Sequence, residues 1–428
     1  MTTSLSTPLA PLGRNGPLGY FRGDCRLCHS TRLVEFLDLG MHPHSDNFLR
    51  PETVQEPEDQ FPLHVALCEQ CGQVQLNYVV RPEYLYGENY LYESSITQTG
   101  RGHFDELAMT VVERFQIHTN ALAVDIGSNV GLLLSYFRRA GLRVLGFDPA
   151  PVPIQTAIGM GIETVPKLFA SGTAAEARET HGQAAVITAT NVFAHIDDLD
   201  DFARAVDLLL APHGILIIEA PHLLELVRNL EYDTIYHQHL SYTSVKPLIG
   251  FFRRFGMELF DVEPTSIHGG SLRLFVSRAG ERPTTSRVGE FVDREERADI
   301  HNITTLGRLA VDVHRHRVAL TKLIVELKDA GKTIVGISAP AKGNTLLNYC
   351  GINNSFLAYI TEKSDLKVGR LTPGTHIPIV PDEMLYETRP DYAIILAWNF
   401  ASEIMSNMWR YKERGGRFIV PIPRPQIL

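Results

Sequence analysis

The chain has 428 residues, a net charge of −9 and an isoelectric point near 6.0. It shows no Lys/Arg-rich run of the kind that marks a duplex-binding face, which argues against a nucleic-acid partner. Hydrophobic residues make up 44% and charged residues 21%, so ordinary cores can form, and at roughly 100–200 residues per domain the length fits two to four domains.

The opening MTTSLSTPLAPLGRNGPLG lacks a basic start followed by an apolar stretch, so it reads as a tail and not a signal peptide. No apolar run reaches the roughly 18–20 residues that span a bilayer. The best, GILIIEAPHLLELV, is broken by Glu219, His222 and Glu225. The expectation is a cytoplasmic protein without a membrane partner.

The first block, residues 1–90, joins that tail to short alternating strands such as FPLHVALC and GQVQLNYV. It carries Cys25-x-x-Cys28 and Cys68-x-x-Cys71, with 39 residues between the pairs. In a reducing compartment such spacing points to a metal and not to disulfides. Four thiolates make a closed tetrahedral set for Zn²⁺, with no open position for substrate, so the role is structural. The alternative is four buried thiols. Cys350 stands apart and reads as a core residue.

The second block, 91–290, opens on the helical pattern TGRGHFDELAMTVVERF and then alternates strands and helices. That alternation implies an α/β fold with a parallel sheet and crossover helices. The strand ALAVDIG leads into AVDIGSNVGLLLSYF, where Gly127 and Gly131 let a ligand approach the backbone and Asn129 stands at the second glycine position of a dinucleotide motif. Asp148 ends the second strand, 23 residues past Asp125, where a carboxylate meets ribose hydroxyls. A dinucleotide remains an alternative. S-adenosylmethionine (SAM) fits better, because the acidic Asp125 turn suits an amino group and has no pyrophosphate to repel.

Phe169 is a candidate adenine cover, with a core residue as the alternative. TNVFAHIDD follows the fourth strand, so Asn191 and His195 belong near the ligand at the carboxyl end of the sheet. His195 is otherwise a surface-loop histidine.

After the fifth strand comes EYDTIYHQHLSYTS, which puts Tyr236, His237, Gln238, His239 and Tyr242 within seven residues. Its histidines are two apart, not the four of a helical zinc site, so acid–base work outranks metal binding. A structural polar loop is the other reading. SIHGGSLRLFV adds His268 and Arg273 as candidate substrate contacts. The third block, 291–428, begins with a charged helix pair ending at Gly331 and repeats the α/β theme. In GISAPAKGNTLLNYCGI a helix N-terminus with Lys342 or Lys332 nearby is a possible phosphate site.

Taken together, CRLC…CEQC, MHPHSDNF, YLYESS, DIGSNVG, YDTIYHQHLSY, HGGSLRLFV, APAKGNTLLNYCGI, LTPGTHIPI and AWNF resemble the three-domain, zinc-containing, SAM-dependent sugar C-methyltransferases. The resemblance runs from about residue 24 to the end. It implies a zinc domain holding Cys25, Cys28, Cys68 and Cys71, a Rossmann-like class I SAM domain, and a C-terminal Rossmann-like domain that helps hold a nucleotide sugar. The reaction it implies is methylation at C3 of a nucleotide-linked 4-keto-deoxysugar, with a dTDP-sugar as the expected partner.

The family's active-site positions fall on Tyr90, His195, Tyr236, Gln238 and His239. For that reaction His239 is the expected base, with His195 second, and Tyr236 and Tyr90 are expected to hold the substrate or donate to the oxyanion. Gln238 departs from the family's glutamate, and an amide is no general base. Other readings are an O- or N-methyltransferase of a small molecule and a non-catalytic zinc and SAM-fold binding protein. No heptad or sticky edge sets the oligomeric state, and a monomer is the expectation.

Overall fold

The computed structural model describes residues 17–87, 90–91 and 98–428, with the side chain of His268 excepted. The tail up to residue 16 and most of YLYESS lie outside the described residues.

The N-terminal part is built on antiparallel strands Leu33–His42, Phe61–Cys68 and Val74–Leu76. Each CxxC closes on itself through a backbone bond four residues on: His29 N to Cys25 O at 2.9 Å and Gly72 N to Cys68 O at 2.8 Å. Gly72 has φ +86, and a Cβ there would meet the His301 ring at 3.0 Å. All four sulfurs lie within 4.8 Å of one another, with Cys25–Cys71 at 3.5 Å and Cys28–Cys68 at 3.6 Å. Four thiolates about 2.3 Å from a tetrahedral Zn²⁺ stand about 3.8 Å apart, so the set fits that ion. The fourth strand of this sheet, Ser241–Tyr242, comes from the middle of the chain and pairs with Gln75 and Val74.

The central sheet has seven strands, in the order Met257–Thr265, Ser271–Arg278, Leu210–Pro221, Ala184–Thr190, Leu122–Ile126, Arg143–Phe147, Thr164–Val165. Only Ser271–Arg278 runs against its neighbours. Leu122–Ile126 is buried at every position, as expected of a parallel strand covered by helices on both faces. Chain order reverses between Leu122–Ile126 and Ala184–Thr190, which opens a crevice at their carboxyl ends.

The last sheet has six strands, in the order Ile379–Pro381, Ile360–Glu362, Ile334–Ile337, Tyr392–Ile395, Arg417–Val420, Gln426–Ile427, parallel except for the final pair.

Helices Ser286–Arg297 and Ile303–Asp329 join the two larger parts, the second capped by Asn302 Oδ1 accepting from Thr304 N at 2.8 Å. Glu295 in the first is fully buried. It accepts from Val245 N (2.6 Å) and Lys246 N (3.0 Å) at the start of helix Val245–Arg253, and lies 3.0 Å from His222 Nε2. One apolar cluster includes Leu37 and Val74 of the first part, Tyr232 and Ile235 of the second, and Leu347 and Ile360 of the third. Among the described residues no helix is long and apolar enough to cross a membrane.

The Ser241–Tyr242 strand ties the zinc knuckle to the segment that carries His239. Chelating the metal should therefore speed amide exchange in residues 240–243 as well as around the cysteines. Hydrogen-exchange mass spectrometry of the protein before and after chelation measures this, and Cys71→Ser should reproduce it together with loss of about one zinc per chain.

Candidate active site

The turn after Leu122–Ile126 takes left-handed backbone at Gly127 (φ 69), Asn129 (φ 51) and Gly131 (φ 75). A Cβ on Gly127 would stand 2.8 Å from Val192 Cγ2, and one on Gly131 3.1 Å from Ile162, so glycine is required by packing as well as by conformation. Asp125 is buried, and its Oδ1 accepts from Thr188 Oγ1 at 2.6 Å. Burial pushes its carboxyl up to about 7, and the nearby Asp148 adds to the rise.

Asp148 accepts from Asn129 N and Ala150 N, both at 2.8 Å, one on each oxygen. Its carboxylate thus fixes the turn and keeps further lone pairs for a diol. Asn191 is held left-handed (φ 56), with its N–H on Glu219 O at 2.7 Å and its Oδ1 buried without a hydrogen-bond partner. Phe169 packs edge-on against Phe147 (5.1 Å) and Phe202 (6.0 Å), so its ring belongs to the wall of the core and remains half-buried.

The histidine cluster comes together at the same end of the sheet. His239 Nδ1 lies 2.7 Å from the Thr234 carbonyl oxygen, which only accepts, so Nδ1 carries the proton. In the neutral ring Nε2 is then bare, and the Tyr236 hydroxyl donates to it at 2.8 Å. The two rings stack at 4.0 Å between centroids, and His195 lies 5.2 Å from His239. Burial drives the His195 imidazole down to about 4, so it is neutral at pH 7. Its Nδ1 is 3.1 Å from the Tyr86 hydroxyl, while Nε2 is buried with no hydrogen-bond partner.

Gln238 is buried at 2% exposure, and its Oε1 also lacks a partner. His237 turns the other way, with Nε2 on Phe61 O at 3.3 Å and its ring edge-on to Phe61. Burial lowers its pKa to about 3. His237 therefore serves the contact with the zinc domain. Tyr90 meets Tyr86 edge-on at 5.4 Å, and Tyr86 is the residue on His195 Nδ1.

The remaining expected contacts are committed elsewhere. Arg273 Nε donates to Glu219 Oε2 at 3.1 Å, and His103 holds the other oxygen of Glu219 at 2.5 Å. Lys342 donates to Asn399 and lies 4.1 Å over the Trp398 ring, with Asp233 and Glu231 as the nearby charges. Lys332 pairs with Asp391 at 3.2 Å. The side chain of His268 lies outside the described residues. Arg273 is thus not a free cation for a phosphate, because Glu219 already holds it, and Lys342 is engaged by Asn399 and the Trp398 ring. Tyr86 was not singled out from the sequence. It lies 109 residues from His195, and only its place in a run of tyrosines (Tyr84, Tyr86, Tyr90) hinted at a role.

Three family models match the chain in order: a zinc binding domain (residues 25–86), a methyltransferase domain (102–262) and a C-methyltransferase C-terminal domain (266–423). The C-methyltransferase NovU of Streptomyces niveus is 35% identical over 95% of this chain and 96% of its own length. A ubiquinone biosynthesis O-methyltransferase of Azorhizobium caulinodans is 32% identical over 22% of this chain and 38% of its own. A SAM-dependent methyltransferase structure from Clostridium acetobutylicum is 10% identical, covering 42% of this chain and 92% of its own with a TM-score of 0.34. With four cysteines placed for a metal, a crevice of the SAM-binding type and the full-length match to NovU, the chain belongs to the family of SAM-dependent C-methyltransferases.

Proposed function

We propose that the enzyme methylates C3 of a nucleotide-linked 4-keto-deoxysugar, a dTDP-sugar in the first instance, through an enolate. The setting would be branched-sugar biosynthesis in the cytoplasm, and the C-terminal domain would help hold the nucleotide. The observation that carries this reading is the hydrogen-bonded pair Tyr236–His239, whose imidazole is held by Thr234 with Nε2 as proton acceptor. A methyltransferase acting on a nucleophile already rich in electrons needs little from a base. One acting on carbon must first remove a C–H proton, and the 4-keto group acidifies it.

In this reading Tyr236 Oη takes the C3 proton as its own proton passes to His239 Nε2, leaving His239 as imidazolium. The C–H electron pair becomes the C3–C4 double bond, and the carbonyl oxygen takes the negative charge. In the tautomer in which the Tyr86 hydroxyl donates to His195 Nδ1, Nε2 carries a proton with no protein partner and would donate to that oxygen. A neutral imidazole does this better than it would act as a second base, because burial has lowered its basicity. SAM supplies an electrophilic methyl, which the C3 carbon takes as the sulfur leaves with the bonding pair.

Asp125 would receive the amino group of SAM and Asp148 the ribose hydroxyls, while Gln238 Oε1 accepts from a hydroxyl or amine of the sugar. Buried without a charge of its own, Gln238 orients and does not titrate.

The product decides the reaction class. NMR of the product made with ¹³C-methyl SAM and a dTDP-4-keto-6-deoxysugar should show a methyl carbon bonded to carbon. An O- or N-methyl signal would refute the assignment. His239→Asn should lower kcat by about 10³, and His195→Ala by about 10², while Gln238→Glu stays within about tenfold of the parent. Near-parental turnover by His239→Asn would remove it as base.

SAM affinity should also depend on pH. Asp125 titrates near 7 when the site is empty, and only its ionised form attracts an ammonium. The share of the affinity that this carboxylate supplies is therefore lost as pH falls through about 7. Calorimetric titration measures the trend, and Asp125→Asn should flatten it.

A further inference from the structure

The Thr234 carbonyl that fixes the His239 proton sits in a single 3-10 turn, Tyr232–Thr234. So short a turn is held partly by its own hydrogen bonds and partly by residues distant in the chain. Trp398 Nε1 donates to Asp233 Oδ2 at 2.6 Å, across 165 residues. The Trp398 ring is covered by the Lys342 ammonium at 4.1 Å, and Lys342 in turn donates to the neighbouring Asn399. On the other side the Tyr232 hydroxyl lies 3.0 Å from His316 Nδ1, while His316 Nε2 donates to Pro421 O at 2.7 Å. Thr234 closes the turn on itself, with Oγ1 donating to Glu231 O at 2.7 Å. Asp233 and Tyr232 are fully buried, so neither contact is a surface accident.

We infer that Trp398 and Asp233 are positioning residues for the proton-transfer step: the C-terminal domain clamps the turn so that the Thr234 carbonyl holds His239 with Nδ1 protonated. This rests on the Tyr236–His239 reading above and deepens it. Lys342 belongs to the same clamp, as the charge over the indole face. Without the Trp398–Asp233 bond the carbonyl is free to swing away. The imidazole then also populates the tautomer with Nε2 protonated, which cannot accept the Tyr236 proton. The loss is in turnover and not in binding of the methyl donor, whose crevice lies on other elements.

The test compares Trp398→Phe, Asp233→Ala and Asp233→Asn with the parent. Trp398→Phe keeps an aromatic ring but has no N–H, while Asp233→Asn keeps an acceptor oxygen for the indole. The ¹⁵N shifts of His239, assigned by difference from His239→Asn, report the tautomer directly. The expected result is a single Nδ1–H form in the parent and a mixture in Trp398→Phe. With it should come a fall in kcat of about tenfold, a substrate KM and a SAM Kd within twofold, and partial recovery of kcat in Asp233→Asn relative to Asp233→Ala. An unchanged His239 spectrum and kcat in a folded Trp398→Phe would overturn the clamp while leaving the base assignment standing. A parent His239 without the Nδ1–H form would overturn both.

Discussion

The hydrogen bond from His239 Nδ1 to the Thr234 carbonyl is the contact on which the proposed chemistry depends. It sets which nitrogen bears the proton, and so makes Nε2 the acceptor for the Tyr236 hydroxyl. Everything around it serves that geometry. The zinc domain pairs its strand Val74–Leu76 with Ser241–Tyr242 just beyond the imidazole. The C-terminal domain reaches the turn just before it through Trp398 and His316. The central sheet ends at the crevice beside His195. The small segment that carries Tyr236 and His239 is thus held by three folded parts.

Burial is the second physical theme. Removing water keeps His195 neutral and raises Asp125 to the neighbourhood of neutral pH. Asn191 Oδ1, His195 Nε2 and Gln238 Oε1 are buried and without partners in the protein, an arrangement that costs stability unless a ligand completes it. These groups are of the kinds that a hydroxylated, carbonyl-bearing substrate would satisfy. Gln238 fits this pattern as an uncharged acceptor.

Local signals in the sequence carried much of this. The two CxxC pairs, the glycine turn after LAVDI, and the strand–helix alternation each reflect short-range physics, and the structure has them where they were expected. YHQH was visible as a concentration of polar side chains, but its internal division was not. His237 faces Phe61 while His239 faces Thr234, and only the backbone path through the turn separates the two. What stayed hidden depended on contacts across long separations. Tyr86 on His195, His103 and Arg273 on Glu219, and Trp398 on Asp233 are each set by packing of elements more than 50 residues apart. The same reason explains why Arg273 looked like a free cation: its partner Glu219 is distant in sequence.

Methyl transfer to carbon in this enzyme would require base-assisted removal of a carbon-bound proton first. Deuterium exchange at C3 of the keto-sugar, followed by NMR in D₂O with S-adenosylhomocysteine in place of the methyl donor, isolates that step. Enzyme-dependent exchange that disappears in His239→Asn is the predicted result. An absence of exchange with the parent enzyme, or exchange at the parental rate in His239→Asn, would contradict it.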